Sequence, residues 1–236
     1  MVDSFLITCE HGGNEIPLSF GYLFQTDEDR VSLDSHRGFD CGALNLAMEF
    51  AQKLAAPLVT STVSRLLVDL NRSLGNPRVF SRATRDAPAA VRENIVETYY
   101  LPYRLNSENL IRQAVARKQR VVHISCHSFT PELDGKVRNA DIGLLYDPTR
   151  KAETAFCTEW KASLNAHASN LRVRRNYPYA GKNDGFTTYL RRCFSPDQYL
   201  GIELEVNQKH VMPGNPHWTE VRSILVESLP IAFGEI

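Results

Sequence analysis

The stretch Arg120-Val-Val-His-Ile-Ser-Cys-His127-Ser-Phe129 is an apolar run with strand character that ends in His-Ser. Another such run, Ser4-Phe-Leu-Ile-Thr-Cys9, leads directly into Glu10-His11-Gly-Gly-Asn-Glu15, and a third, Leu66–Leu70, is followed by Asn71-Arg72. In open α/β sheets, ligands collect outside the carboxyl ends of the strands, where loops from distant parts of the chain converge. The three runs therefore predict one composite binding site.

Short β-rich runs alternate with helical patterns along the whole chain, which is typical of an α/β domain. The predicted strands are Ser4–Cys9, Pro57–Ser61, Leu66–Leu70, Val121–Cys126, Asp141–Tyr146 and Tyr199–Val206. Helices are predicted at Leu44–Leu54, Ala89–Arg117, Ala152–His167, Phe186–Cys193 and Thr219–Ser228. Asp40 is predicted to cap the first of these helices, and Pro102 is predicted to kink or break the second. We expect a single domain over residues 1–236, with a central, mostly parallel or mixed sheet flanked by helices.

The composition favours a small-molecule partner. The 27 basic residues balance the 27 acidic residues, so there is no electrostatic reason to expect a nucleic acid or an anionic membrane as partner. No signal-peptide pattern and no apolar run of about 18 residues is present, which predicts a soluble, cytoplasmic protein. The five cysteines include no Cys-x-x-Cys pair, which predicts free buried thiols rather than a disulfide framework.

Two histidines at separate strand ends, His11 and His127, suggest a metal site. Catalytic zinc typically takes three protein ligands from His and carboxylate side chains and keeps a fourth position for water. Glu15 follows a Gly-Gly turn that can return its carboxylate toward His11, so His11, Glu15 and His127 form the predicted set. Glu10 and Asp40 are the alternative carboxylates. The remaining histidines are predicted to be ordinary core or surface residues, as most histidines are.

The run Leu200–Asn207 carries Glu203 and Glu205, which are two residues apart and therefore lie on the same face of a strand. A buried carboxylate is costly unless it is paired or lies near a metal, so this pair predicts a functional role. We predict that Glu205, nearer the strand end, is the base that takes a proton from water, with Glu203 as the alternative. The other interpretation is an edge strand with one solvated face.

Asn71 and Arg72 are suited to hold a substrate carboxylate, because a guanidinium binds a carboxylate through two parallel hydrogen bonds. The structural alternative is an ion pair between Arg72 and an acid such as Asp69. Arg65 is a candidate for polarising the scissile carbonyl. The polar and aromatic segment Asn176–Gly185 is either a substrate-facing loop or a plain surface loop.

Five motifs, in this order, resemble those of the N-formylglutamate amidohydrolase family, which is similar in plan to the zinc carboxypeptidases and the aspartoacylase group. They are Cys9-Glu-His-Gly-Gly-Asn-Glu-Ile-Pro17, Asp40-Cys-Gly-Ala43, Ser64-Arg-Leu-Leu-Val-Asp-Leu-Asn-Arg72, Cys126-His-Ser-Phe129 and Ile202-Glu-Leu-Glu-Val-Asn207. The resemblance implies a zinc carboxypeptidase-like α/β fold, with zinc on His11, Glu15 and His127. It also implies that Asn71 and Arg72 hold a substrate carboxylate, and that Glu205 activates water. His11 and Glu15 are one residue further apart than is usual in these families.

The motifs together predict a zinc-dependent amidohydrolase. Its substrate would be N-formyl-L-glutamate or a similar N-acyl amino acid, which it would hydrolyse to the free amino acid and a carboxylate such as formate. One alternative is a related metallo-deacylase or carboxypeptidase that acts on another N-acyl amino acid or a short peptide. The other alternative, from a different class, is a non-catalytic binder of acidic amino acids.

Overall fold

The computed structural model describes residues 3–211 and 217–230. Its strands are β1 (Asp3–Cys9), β2 (Leu58–Thr60), β3 (Arg120–Phe129), β4 (Glu132–Leu133), β5 (Lys136–Val137), β6 (Ile142–Leu145), β7 (Val173–Arg175) and β8 (Tyr199–Asn207). Six of them form one sheet in the order β2-β1-β3-β8-β6-β7, in which only the β6–β8 pair is antiparallel. This confirms the predicted α/β domain with a mixed sheet. β4 and β5 form a small separate hairpin.

The helices are α1 (Asp27–Leu33), α2 (Ala43–Leu54), α3 (Arg82–Arg85), α4 (Ala89–Ile95), α5 (Leu101–Ala116), α6 (Lys151–His167), α7 (Phe186–Cys193) and α8 (His217–Glu227). A π-helical turn at Val96–Tyr100 separates α4 from α5. Pro102 has no N–H to donate, so the regular helical hydrogen bonding is interrupted there. This confirms the predicted break. None of the helices in the described residues is long and apolar enough to cross a membrane.

The two faces of the sheet differ in polarity. On one face, Val122, Ile124 and Cys126 of β3 pack into an apolar cluster with residues of α2, α6 and α8. The opposite face is apolar near the start of the strands, beneath α5 and α7, and becomes polar toward their carboxyl ends. The polar side chains on this face are Thr8 of β1 and Glu10 just after that strand, His123, Ser125 and His127 of β3, and Glu203 and Glu205 of β8. The alternation of side chains along each strand therefore places the candidate site on one face. All five cysteines are free, as predicted, but only Cys9, Cys126 and Cys157 are buried, whereas Cys41 and Cys193 are partly exposed.

Two local predictions are wrong. Leu66–Leu70 is not a strand: the N–H of Leu67 donates to the Ser64 carbonyl in a turn, while its apolar side chains pack with α5 and α7. An apolar run indicates burial but does not show which backbone partner the segment has. Asp40 does not cap α2, which begins after Gly42 in a left-handed conformation (φ 80°) and has no side-chain cap. A Cβ at Gly42 would overlap the side chain of Val211, so this tight turn requires glycine.

Candidate active site

Three side chains converge beyond the carboxyl ends of β1 and β3. Nδ1 of His127 lies 2.7 Å from Oδ2 of Asp40, and Nδ1 of His11 lies 3.3 Å from the same oxygen. The two imidazole centroids are 5.0 Å apart. All three residues are buried, and one ligand atom from each lies within 4.8 Å of the other two. His11, Asp40 and His127 can therefore hold one metal ion, and the structure brings the two predicted histidines together.

The predicted carboxylate ligand, Glu15, does not join this cluster. Glu15 is exposed, and its Oε2 accepts a hydrogen bond of 2.8 Å from the Thr62 hydroxyl. The glycine turn leads the chain along Thr62 rather than back to His11: a Cβ at Gly13 would lie 2.5 Å from the Thr62 carbonyl oxygen. Asp40, one of the two alternatives, occupies the position expected for Glu15.

Glu10, the other alternative, lies behind His127. Its Oε2 is 3.1 Å from Nε2 of His127 and accepts a 2.7 Å hydrogen bond from Ser125, while its Oε1 accepts one of 2.9 Å from Tyr103. Burial alone would raise the pKa of Glu10, but the hydrogen bond and the charge of His127 lower this pKa well below its usual range. Glu10 is therefore an ionised group that orients His127.

Carboxylates face both nitrogens of each of the two imidazoles. Nε2 of His11 lies 2.8 Å from Oδ1 of Asp69, just as Nε2 of His127 faces Glu10. An ionised carboxylate only accepts hydrogen bonds, so Nε2 of each ring donates to its carboxylate, and the other nitrogen of each ring faces Asp40. Burial alone would lower the pKa of His127, but its hydrogen bonds to Asp40 and Glu10 raise this pKa well above its usual value. Metal-binding histidines are commonly held in this way by carboxylates on their other nitrogen.

Glu203 and Glu205 share one face of β8, as predicted. This is also the face of His127, because β8 pairs with β3 in the register His127 to Glu205 and Ser125 to Glu203. β8 lies between β3 and β6, which excludes the edge-strand interpretation. Glu205 is buried, and its Oε2 has no hydrogen-bond partner among the described residues. Oε1 of Glu203 instead accepts a 2.7 Å hydrogen bond from Thr187. The two carboxylates are therefore in different environments.

The pKa of Glu205 is raised to about 8, and burial is the largest cause. The charges of Asp40 and Glu203 also raise this pKa, whereas those of His127 and Arg65 lower it. A carboxyl group whose pKa lies near neutrality can both accept and release a proton at physiological pH, which is the property needed in a general base.

Arg65, Asn71 and Arg72 all reach the site, and each also has a structural partner. Arg65 donates to Asp69 at 2.8 Å and to Asp40 at 3.5 Å. Asn71 accepts a 2.6 Å hydrogen bond from the first N–H of α7 and turns its Nδ2 toward His127 at 3.5 Å. Nη1 of Arg72 donates to the Asp184 carbonyl at 2.5 Å, and its Nε is 4.0 Å from Asp69. The ion pair between Arg72 and Asp69, which was the structural alternative for Arg72, is therefore present only at 4.0 Å.

Tyr100 and Arg104 were not recognised in the sequence, yet they hold the backbone of Arg72. The Tyr100 hydroxyl and Nη1 of Arg104 both donate to the Arg72 carbonyl, at 2.7 and 2.8 Å. Arg104 is 4% exposed, and its guanidinium lies over the rings of Tyr100, Phe186 and Tyr189 at 4.4 to 4.8 Å. The spacing of four residues in a helix indicates that Tyr100 and Arg104 share a face, but it does not show what that face contacts.

An open cleft of about 640 Å³ covers the site. It is lined by all the predicted site residues except Glu15, namely His11, Arg65, Asn71, Arg72, His127, Glu203 and Glu205. The segment Asn176–Gly185 contributes Tyr179, Asn183 and Asp184 to the lining, which fits the interpretation of a substrate-facing loop. Below the cleft, His123 is a buried core histidine whose nitrogens lie 2.8 Å from the Thr8 hydroxyl and 2.7 Å from the Tyr199 hydroxyl.

Comparisons with known proteins agree with this fold. The family model for N-formylglutamate amidohydrolase matches residues 3–212. A crystal structure of a gene product from Agrobacterium tumefaciens aligns with a TM-score of 0.76 at 27% identity, over 95% of this chain and 90% of that chain. The N-formylglutamate amidohydrolase from Ralstonia eutropha JMP134 aligns with a TM-score of 0.75 at 18% identity, over 96% and 91% of the two chains. No curated protein shows significant similarity to the sequence. The chain belongs to the N-formylglutamate amidohydrolase family and is therefore an amidohydrolase.

Proposed function

We propose that the protein is a zinc-dependent hydrolase that converts N-formyl-L-glutamate, or a similar N-acyl amino acid, to the free amino acid and formate or another carboxylate. The observation that carries the proposal is the position of Glu205. This buried carboxyl has one oxygen with no hydrogen-bond partner among residues 3–211 and 217–230, and it lies in register with His127, one of the three candidate metal-binding residues. A proton acceptor beside a metal site is the arrangement that metal-assisted hydrolysis needs.

His11, Asp40 and His127 would hold the ion, and two imidazoles with one carboxylate are a donor set of catalytic zinc. When bound, zinc supplies Lewis-acid chemistry at a carbonyl oxygen and at water. Asp69 and Glu10 hold the imidazole rings in orientation by accepting hydrogen bonds from Nε2.

Glu205 takes a proton from the attacking water and then returns it to the nitrogen of the departing amino acid. A cation on the neighbouring residues would lower the pKa of Glu205 from its value of about 8, so that the group is ionised before the reaction. Arg65, which already bridges Asp40 and Asp69, polarises the scissile carbonyl from the same side of the cleft.

Arg72 holds a carboxylate of the substrate. Its side chain lines the cleft and is 30% exposed, and its backbone carbonyl is fixed by two donors. Nδ2 of Asn71 lies 3.5 Å from Nε2 of His127, so it is placed to donate to a substrate group beside the two histidines. Fixed donors of this kind act mainly by positioning the substrate.

Elemental analysis combined with hydrolysis of N-formyl-L-glutamate, before and after chelation, tests the proposal. We expect about one zinc per chain, loss of activity on chelation and its recovery when zinc is returned. Activity that is unaffected by thorough chelation would exclude the metal-dependent mechanism. Stoichiometric zinc without turnover of any acyl amino acid would instead support a non-catalytic binder.

The size of the cleft is compatible with a second candidate, a deacylase for larger acyl groups. A cleft of about 640 Å³ has room for N-acetyl- and N-succinyl-L-glutamate as well as for the formyl compound. The ratio of kcat/KM values for N-formyl-, N-acetyl- and N-succinyl-L-glutamate distinguishes the two. A higher kcat/KM for the succinyl compound would favour this second function.

A further inference from the structure

Two separate segments of the chain meet at Asn71 and Arg72. Nη1 of Arg72 donates to the Asp184 carbonyl at 2.5 Å, and Oδ1 of Asn71 accepts from the Phe186 N–H at 2.6 Å. Asp184 and Phe186 lie 112 and 115 residues further along the chain than their partners. The positions of the Asn71 and Arg72 side chains therefore depend on the segment that leads into α7.

The Asp184 side chain makes a further connection between the two segments. Its Oδ2 accepts a hydrogen bond of 3.2 Å from the Ser73 N–H and one of 2.6 Å from Nδ2 of Asn76. Burial alone would raise the pKa of Asp184, but these hydrogen bonds and the charge of Arg72 lower this pKa from its usual value. The carboxylate is therefore ionised at neutral pH, and hydrogen bonds to a charged acceptor are the stronger kind.

The tip of the turn that follows Arg72 is open to solvent. Leu74 and Gly75 are exposed there, and an internal hydrogen bond of the turn runs from the Asn76 N–H to the Ser73 carbonyl at 2.9 Å. Exposed turns are the more mobile parts of a fold unless other groups hold them. Asp184, which also lines the cleft, holds this turn through two of its residues.

The segment that carries Asp184 is itself fixed to the core. The Gly181 carbonyl accepts a 2.6 Å hydrogen bond from Nη1 of Arg191, which is buried and pairs with the buried Glu153 at 3.0 Å. A Cβ at Gly181 would lie 2.1 Å from the backbone nitrogen of Tyr146, so the backbone is closely packed at this point. Asp184 follows three residues later and therefore connects a fixed part of the fold to the turn after Arg72.

We propose that Asp184 is a positioning residue for Arg72: its carboxylate holds the following turn through Ser73 and Asn76, while its carbonyl holds the guanidinium. This rests on the proposed function, in which Arg72 binds a carboxylate of the substrate. In this role Asp184 acts through Arg72, because it fixes the direction in which Arg72 presents its remaining N–H groups. A ligand is bound more tightly when the groups that bind it are already in place.

Asp184→Ala tests this role, because it removes the carboxylate and leaves the backbone carbonyl that Arg72 uses. We expect KM for N-formyl-L-glutamate to rise by about tenfold and kcat to change by less than about threefold, since binding rather than the chemical step is impaired. Asp184→Asn keeps an oxygen that can accept from both Ser73 and Asn76, so its KM should lie within about threefold of the wild-type value.

Asp147→Ala is the matched control. Asp147 is also a partly buried loop residue, and its carboxylate accepts from the N–H and the hydroxyl of Thr149 at 3.0 and 2.8 Å, but it is not among the described residues that line the cleft. Its replacement should change KM by less than about twofold.

Asn76→Ala removes a partner of the Asp184 carboxylate and should raise KM in the same direction as Asp184→Ala. Because the two side chains act through one contact, the double variant should raise KM by no more than about twofold beyond Asp184→Ala alone. Fully additive effects would mean that the two residues act separately and would overturn the proposal. A fall in kcat at unchanged KM in Asp184→Ala, or an equal rise in KM in Asp184→Asn or Asp147→Ala, would overturn it as well.

Binding without turnover keeps the test independent of the proposed reaction. Isothermal titration calorimetry with L-glutamate uses a ligand that has carboxylates but no acyl group to cleave. We expect wild type to bind it at least about fivefold more tightly than Asp184→Ala does. If N-formyl amino acids are not hydrolysed but this difference is present, the proposed function fails and the positioning role stands. Hydrolysis by wild type, with affinity and KM unchanged in Asp184→Ala, would support the proposed function and refute the positioning role.

Discussion

Nδ1 of His127 lies 2.7 Å from Oδ2 of Asp40, and this contact joins the end of β3 to the loop that precedes α2. Oδ2 of Asp40 also faces Nδ1 of His11 at 3.3 Å. One carboxylate oxygen thus lies between two imidazole nitrogens from strands that are distant in the chain. Asp40 therefore links the two candidate metal-binding histidines.

Asp40→Asn keeps the shape of this side chain and removes its charge. We expect it to weaken zinc binding by more than about 100-fold, because loss of a metal ligand should cost more than loss of a group that only orients one. Elemental analysis after gel filtration measures the retained zinc. Glu15→Gln is the control and should retain the wild-type zinc content, since the Glu15 carboxylate is bound to Thr62 at the surface. Zinc loss in Glu15→Gln but not in Asp40→Asn would identify Glu15, rather than Asp40, as the metal ligand.

Glu205→Gln removes the proposed proton acceptor and nearly preserves its volume. We expect kcat to fall by about 10²- to 10⁴-fold while the zinc content is unchanged. Glu203→Gln is the comparison, and it should lower kcat by less than about tenfold, because Glu203 already accepts a hydrogen bond from Thr187. Steady-state hydrolysis of N-formyl-L-glutamate measures both. A larger fall in kcat in Glu203→Gln than in Glu205→Gln would mean that Glu203 is the proton acceptor.

The strand-level features of the site could be predicted from the sequence because they depend on local periodicity. Residues two apart on a strand share a face, which places Glu203 with Glu205. The carboxyl ends of parallel strands meet at one edge of the sheet, which brings His11 to His127. Both relationships follow from strand geometry and do not depend on the path of any loop.

The choice of carboxylate could not be predicted, because it depends on the paths of two loops. The chain after Gly13 follows Thr62, which directs Glu15 to the surface. The left-handed turn at Gly42 starts α2 three residues after Asp40 and leaves the Asp40 carboxylate free to face the imidazoles. Neither path has a signature in hydrophobic periodicity.

Arg104→Met preserves the apolar stem of a buried arginine and removes its hydrogen bond to the Arg72 carbonyl. We expect the free energy of unfolding to fall by about 1–3 kcal/mol and KM for N-formyl-L-glutamate to rise, because Arg72 loses one of two donors that hold its backbone. Arg112→Met is a matched control on α5: its side chain is 59% exposed and pairs with Glu108, so both quantities should change little. Urea unfolding and initial rates measure the two effects. An unchanged KM in a destabilised Arg104→Met would limit Arg104 to a structural role.

His123 should make the protein less stable in mild acid. Burial lowers the pKa of His123 from 6.5 to about 4, because the ring lies between Thr8 and Tyr199 with little access to water. Between these two values the unfolded chain binds a proton at His123 and the folded chain does not. The free energy of unfolding therefore falls as the pH is lowered from 6.5 toward 4, by an amount on the order of 3 kcal/mol.

His123→Gln can keep hydrogen bonds to both hydroxyls and does not titrate, so it isolates this contribution. Urea unfolding at several pH values between 6.5 and 4.5 should show a smaller decrease in the free energy of unfolding for the variant than for wild type. The variant is expected to be less stable at pH 7, where the neutral imidazole fits its site best, and to approach wild type as the pH falls. Parallel pH profiles for the two proteins would mean that the folded state accommodates a charged His123, in contradiction to its complete burial.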